Sequence, residues 1–170
     1  MSRVTPVFAA GGAGRWYLLA LLVVVLDQVT KTMAVAALEY GRPVAITGFF
    51  NLTLLYNPGA AFSFLSDADG WQRWFFAIIA LGVSAVLLVW IWRLPAQARL
   101  QRSALALILG GALGNLWDRL VLGHVVDFIQ LHYDDWYWPA FNIADSAITV
   151  GAVLIVAEAF LTRKSNEVHD

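Results

Sequence analysis

Residues Phe141–Leu161 read FNIADSAITVGAVLIVAEAFL. Nearly all of this stretch is ready to enter a lipid bilayer. Its length matches the ~20 residues that a helix rising ~1.5 Å per residue needs to cross ~30 Å of hydrocarbon. Yet Asn142 and Asp145 stand near its start. A carboxylate in hydrocarbon costs several kcal/mol unless it is paired, solvated or protonated. The stretch therefore predicts a membrane-spanning helix and asks what Asp145 is for.

Working outward, three more segments have the same character. Spans are predicted over about 16–38, 71–92, 100–123 and 140–162. The 170 residues are 60% hydrophobic and 14% charged, with a mean hydropathy of +0.68. A soluble domain is about half apolar and about a quarter charged, so this composition belongs in a membrane. A net charge of −1 gives no reason to expect nucleic acid binding. The absence of cysteine excludes disulfides, zinc thiolate sites and thiol catalysis. One domain over 1–170 is the natural count for this length.

Lys and Arg set the orientation. Arg3 and Arg15 precede the first span; Arg93, Arg99 and Arg102 lie between the second and third; Arg163 and Lys164 follow the fourth. The other side carries only Arg42 and Arg73. The positive-inside rule places both termini and the middle loop in the cytoplasm. Trp16, Trp71, Trp74, Trp90, Trp92 and Trp136 bracket the spans as interfacial anchors. A cleaved signal peptide is the rival reading of the first span, with Ala34-Val35-Ala36 as cleavage site. Asp27 and Lys31, between the apolar core and that site, argue against it.

The outer loops differ. Residues 44–65, VAITGFFNLTLLYNPGAAFSFL, alternate, are rich in β-branched and aromatic residues, and break at Gly48 and at Asn57-Pro58-Gly59. That pattern predicts a small outer β element with Asn57 at its turn. The loop from His124 to Pro139 is open between helical and extended readings.

The polar groups within the spans converge on one depth. Asp27 and Lys31 are four apart in the outer half of the first span, and so share a helix face. Asn115, Asp118 and Arg119 lie near the outer end of the third span, with Asp127 shortly after it; Asn142 and Asp145 open the fourth. Each has a bland reading. Asp27–Lys31 alone is a local ion pair. Asn115 and Asn142 alone are interhelical hydrogen-bonders. Asp118–Arg119 alone is a pair on a solvated rim. Gly110 and Gly114 form a GxxxG that reads as close helix packing, and Pro58-Gly59 reads as a turn. Glu158 snorkels toward the cytoplasm. His124, His132 and Asp127 have no metal-ligand spacing. Convergence on one layer is what these readings leave unexplained.

A serine nucleophile is weak here, because Ser146, Ser63 and Ser66 lack an evident base. Two aspartates suffice for hydrolysis. Carboxyls at contact share a proton, so one can activate water while the other donates to the scissile carbonyl. Asp127 and Asp145 are the expected pair. Arg119, whose charge is fixed, should hydrogen-bond acidic or carbonyl groups of the site. A proton-coupled transporter would spread its ionisable groups through the bilayer depth, and here they crowd outward. A non-catalytic assembly subunit would tolerate Asp127→Asn and Asp145→Asn.

Five stretches, in order, resemble the lipoprotein signal peptidase (signal peptidase II) family of bacterial inner membranes. They are Asp27-Gln-Val-Thr-Lys31, Asn57-Pro-Gly-Ala-Ala-Phe62, Gly114-Asn-Leu-Trp-Asp-Arg119, Val125-Val-Asp127-Phe128 and Phe141-Asn142-Ile-Ala-Asp145. The resemblance implies an all-α membrane protein, four transmembrane helices with a small periplasmic β-cradle. It implies an aspartic endopeptidase that releases signal peptides from prolipoproteins, cleaving before a diacylglyceryl-modified cysteine, with Asp127 and Asp145 as catalytic dyad. Asp27, Lys31, Asn57, Gly59, Asn115, Arg119 and Asn142 match the supporting positions. No metal or organic cofactor is implied. Membrane lipids and the inhibitor globomycin are implied partners. The site lies near the periplasmic face, where a signal peptide's cleavage point meets water. A monomer is the expected state, because four spans can enclose the site.

Overall fold

The computed structural model of the protein describes residues 12–59 and 70–167, with side chains as far as Leu161. The expected reach of the outer β element over residues 60–65, Ser63 and Ser66, Arg3, and the side chains of Arg163 and Lys164 lie outside the described residues.

Four helices are long and apolar enough to cross a membrane. They are α1 (Gly14–Ala37), α2 (Trp71–Arg93), α3 (Arg99–Val121) and α4 (Ile143–Glu167). The chain is thus mostly helical, with a small antiparallel sheet. Helix α3 is the hub: it packs against α1, α2 and α4. Of its span 61% is buried, against 28%, 22% and 17% in α1, α2 and α4. The outer helices turn large apolar side chains outward, among them Leu18, Leu22, Ile78, Leu81, Val153 and Phe160. That surface suits lipid, where burying apolar groups in the protein brings no advantage over leaving them in hydrocarbon.

Small residues let α3 occupy the centre. A Cβ on Gly110 would fall 2.6 Å from the Ala20 carbonyl oxygen of α1, and one on Gly151 2.6 Å from the Ala104 carbonyl oxygen of α3. The GxxxG therefore does serve close packing. Arg102, counted by sequence among the loop charges, is instead in the first turns of α3 and fully buried. Its guanidinium donates to the Leu94 carbonyl at the end of α2, a destination a charge count cannot reveal.

Both outer loops contribute to one four-stranded sheet, ordered β1 (Val44–Thr47), β2 (Phe50–Asn57), β3 (Val125–Tyr133), β4 (Trp136–Tyr137), with antiparallel neighbours. The β1–β2 hairpin turns at Gly48, where Thr47 pairs with Phe50. The second outer loop is extended. Residues Val125 to Phe128 are all buried, so they lack the alternation that would have marked a strand. The Phe141 carbonyl accepts the N–H groups of Phe128 (3.0 Å) and Ile129 (2.9 Å), and Phe141 N–H donates to Ile129 (2.9 Å). That bridge fixes the start of α4 beside β3 and delays the helix to Ile143, three residues inside the predicted span.

Candidate active site

The approach of α4 to β3 brings Asn142 against Asp127. Asn142 immediately precedes α4 and caps it: its Oδ1 accepts the Asp145 N–H at 2.9 Å, while Asp145 Oδ2 accepts the Asn142 N–H at 3.2 Å. This reciprocal pair is a capping box with aspartate in the third helical position. The N-terminal end of a helix favours an anion. Asp145 thus has a structural reason to stand in the first turn of an apolar helix. Asn142 has its oxygen committed, so its Nδ2 faces the other way and donates to Asp127 Oδ1 at 2.8 Å and to the Val126 carbonyl at 3.2 Å. One buried asparagine bridges the two aspartates.

Asp127 is held from a third element. Asn57, at the end of β2, accepts the Gly59 N–H on its Oδ1 (2.9 Å) and donates from Nδ2 to Asp127 Oδ2 (3.3 Å). Gly59 has φ +117°, a conformation that side-chain-bearing residues rarely adopt, and its Cβ would strike the Phe76 ring at 2.8 Å. Burial first, and the neighbouring Asp145 second, push the Asp127 carboxyl up to about 7; the two asparagines and Lys31 pull the other way. The sum leaves a carboxyl able to hold a proton at neutral pH.

Beneath the two aspartates lies a buried charge cluster. Lys31 Nζ meets three acceptors, Asp27 Oδ2 (2.8 Å), Asp118 Oδ2 (2.8 Å) and Asn115 Oδ1 (2.9 Å). An ammonium has three N–H groups, and all are used. Asp27 also accepts the Ala144 N–H of α4 at 2.9 Å, and Asp118 accepts the Val126 N–H of β3 at 3.2 Å. Gln28 donates to Asp118 Oδ1 (2.8 Å) and Asp27 Oδ2 (3.2 Å). The cluster ties α1, α3, β3 and α4 together. A Cβ on Gly114 would fall 2.7 Å from Asp27 Oδ2, so glycine there admits the carboxylate.

The bland reading of Asp118 as a rim partner of Arg119 does not hold: the fold buries Asp118 and pairs it with Lys31. Adjacent helical residues point about 100° apart, so neighbours in sequence are rarely partners. The contribution of Gln28 was also missed, though it sits between Asp27 and Lys31. Arg119 Nη1 donates to the Asn115 carbonyl (3.0 Å), and the guanidinium lies over the Phe76 ring at 5.5 Å. Among the described residues it forms no ion pair with an aspartate. Arg119, Asn115 and Asp145 stand together on the wall of a cleft of about 300 Å³ between α2, α3 and α4. The remaining wall is apolar: Phe76, Val83, Ala112 and Ile148 contribute. His124 packs tilted against Tyr56 and His132 stacks on Tyr137, so both rings have aromatic partners.

A four-helix membrane bundle with two bridged aspartates beside a cleft fits one class, the polytopic membrane aspartic peptidases. Residues 19–161 match the sequence profile of Signal peptidase (SPase) II, peptidase family A8. The lipoprotein signal peptidase of Cellvibrio japonicus is 56% identical over 86% of each chain. That of Pseudomonas putida is 57% identical over 95% of this chain and 98% of its own. A solved bacterial membrane enzyme shares the fold with a TM-score of 0.76 and 37% identity, covering 90% of this chain and 91% of that one. The chain belongs to the signal peptidase II family. It is therefore an aspartic peptidase of the multi-pass membrane type, acting on the signal peptides of lipoproteins.

Proposed function

We propose that the protein hydrolyses prolipoproteins just before the diacylglyceryl-modified cysteine, using water activated between Asp127 and Asp145. The observation that carries this reading is the bridge through Asn142, which donates from Nδ2 to one carboxyl (2.8 Å) and from its backbone N–H to the other (3.2 Å). In such a pair the ionised carboxylate takes a proton from water as the water oxygen bonds to the scissile carbonyl carbon. The protonated carboxyl gives its proton to the carbonyl oxygen. Collapse of the tetrahedral species breaks the C–N bond, and the leaving nitrogen takes a proton from the dyad. Asp27, Lys31, Asn57, Gly59, Asn115, Arg119 and Asn142 support and orient the pair.

The cleft between α2 and α4 supports the choice of substrate. Its apolar wall can receive the membrane-embedded part of a signal peptide or its lipid, and its head carries Asn115, Arg119 and Asp145. The distribution of Lys and Arg along the chain supports a topology with both termini in the cytoplasm and the site near the periplasmic face of the bacterial inner membrane. The whole chain acts as one peptidase domain and as a monomer, blocked by globomycin-type inhibitors.

Purified protein in detergent, given a prolipoprotein with and without its diacylglyceryl group, tests the reading. Cleavage before the modified cysteine, unchanged by EDTA, is expected. Cleavage of the unmodified form alone, or loss of cleavage with EDTA, would overturn it.

A further inference from the structure

The two aspartates are not equivalent in their surroundings. Asp145 Oδ1 accepts from Asn115 Nδ2 at 2.7 Å, its Oδ2 accepts the Asn142 N–H at 3.2 Å, and it sits in the first turn of α4. Asp127 sits on β3 rather than in the first turn of a helix, with one short amide contact (2.8 Å) and one long one (3.3 Å).

The orientation of Asn115 decides the difference. A side-chain amide can present either oxygen or nitrogen to a neighbour, and its hydrogen-bond partners choose. Lys31 can only donate, so Asn115 Oδ1 faces Lys31 at 2.9 Å, where it also accepts the longer bond from Asn142 Nδ2 (3.3 Å), and Nδ2 is left to face Asp145. A donor aimed at a carboxylate favours its charged form. Lys31 itself is locked by Asp27 and Asp118.

We propose that Lys31 is a positioning residue which, through Asn115, makes Asp145 the ionised member of the dyad and leaves the shared proton on Asp127. The inference rests on the dyad reading above. Asp145 is then the base that takes the proton of water, and Asp127 the acid that protonates the scissile carbonyl oxygen. The upward push on Asp127, to about 7, agrees with this placement. Lys31 from α1 and Arg119 from α3 face the pair, and Asp27 and Asp118 face Lys31. His124, before β3, faces Asp118.

The direct readout is the carbon NMR spectrum of protein labelled at the aspartate side-chain carboxyls, each resonance assigned by its loss in an Asp→Asn variant. At about one pH unit below 7 the wild-type Asp127 resonance should report an acid and Asp145 a carboxylate. The reverse would overturn the proposal while leaving the dyad standing. A dyad that is wrong would show itself separately, as cleavage surviving Asp127→Asn or Asp145→Asn.

Lys31 is tested by pH profile. Lys31→Met removes a positive charge and leaves the Asn115 oxygen held only by the longer bond from Asn142 (3.3 Å), so both limbs of the kcat profile should move to higher pH, with kcat down roughly 10- to 100-fold. Asp118→Asn removes a negative charge and keeps Lys31 on Asn115, so the limbs should move to lower pH. If Lys31→Met does not fold, Asp118→Asn still decides. A lower rate with unmoved limbs in every folded variant would reduce Lys31 to a structural ion pair and overturn its positioning role.

Discussion

At the scale of single residues, the position of Asp127 has a thermodynamic consequence. Its folded value is raised from 3.8 to about 7, so the folded protein binds that proton more tightly than the unfolded chain does. The resulting stability is fully present below pH ~4 and is lost as pH rises through ~7. At ~1.4 kcal/mol per unit the loss amounts to a few kcal/mol. Asp127→Asn should therefore raise the unfolding midpoint in detergent at pH ~8 and flatten its slope between pH ~4 and ~7. An unchanged midpoint and slope would mean that burial costs this carboxyl little. On the proposed mechanism the same proton would set an activity limb: cleavage that needs Asp127 protonated should decline as pH climbs past about 7. Lys31 presents the opposite balance. It is 3% exposed and makes three polar contacts, and breaking a buried pair by removing one partner costs roughly 3–5 kcal/mol. A stable, fully active Lys31→Met would contradict the picture of a tightly satisfied ammonium.

Between elements, the site depends on how closely α3 approaches its neighbours. Gly114 should not accept a side chain, because its Cβ would press on Asp27 Oδ2 at 2.7 Å and loosen the charge cluster. Gly114→Ala should cost roughly 1–3 kcal/mol by overpacking. Gly82→Ala on α2, where a Cβ meets nothing within 4 Å, should be neutral or slightly stabilising. Thermal unfolding of the two variants checks the contrast, and equal midpoints would contradict it. The helices themselves were legible in the sequence, because an apolar run of bilayer length has few alternatives. Which face of a helix meets which neighbour was not, and that is why Asp118 read as a rim residue. Depth along a span follows from counting, whereas azimuth follows from packing, and Asp118 turns toward Lys31 only because α1 lies on that side of α3. The second half of the sheet is illegible in the sequence for a related reason. Buried on consecutive residues, Val125 to Phe128 do not alternate, and β3 is recognisable only beside β2. The capping box at Asn142 and Asp145 was available from spacing alone; it explains how a carboxylate can begin an apolar helix.

At the scale of the whole molecule, one end of the bundle gathers the polar residues of the site. The end of α1 and the end of α3 meet the sheet there, α4 begins beside β3, and the same end holds Asp27, Lys31, Asn57, Asn115, Arg119, Asp127, Asn142 and Asp145. Its orientation in the membrane can be read with single cysteines, since the chain has none of its own. A cysteine at Asp135 beside β4 should react with an impermeant reagent from the periplasmic side, and one at Gln97 between α2 and α3 should not. The reverse labelling would invert the topology. The gathering has one purpose in this account, a pair of carboxyls that act as a unit. Cleavage of diacylglyceryl-modified prolipoprotein by Asp127→Asn, Asp145→Asn and the double variant, each confirmed folded in detergent, tests that most directly. Each single change should abolish nearly all cleavage, and the double variant should be no worse than either, because groups that act together fail together. Near-wild-type cleavage by either single variant would contradict the dyad.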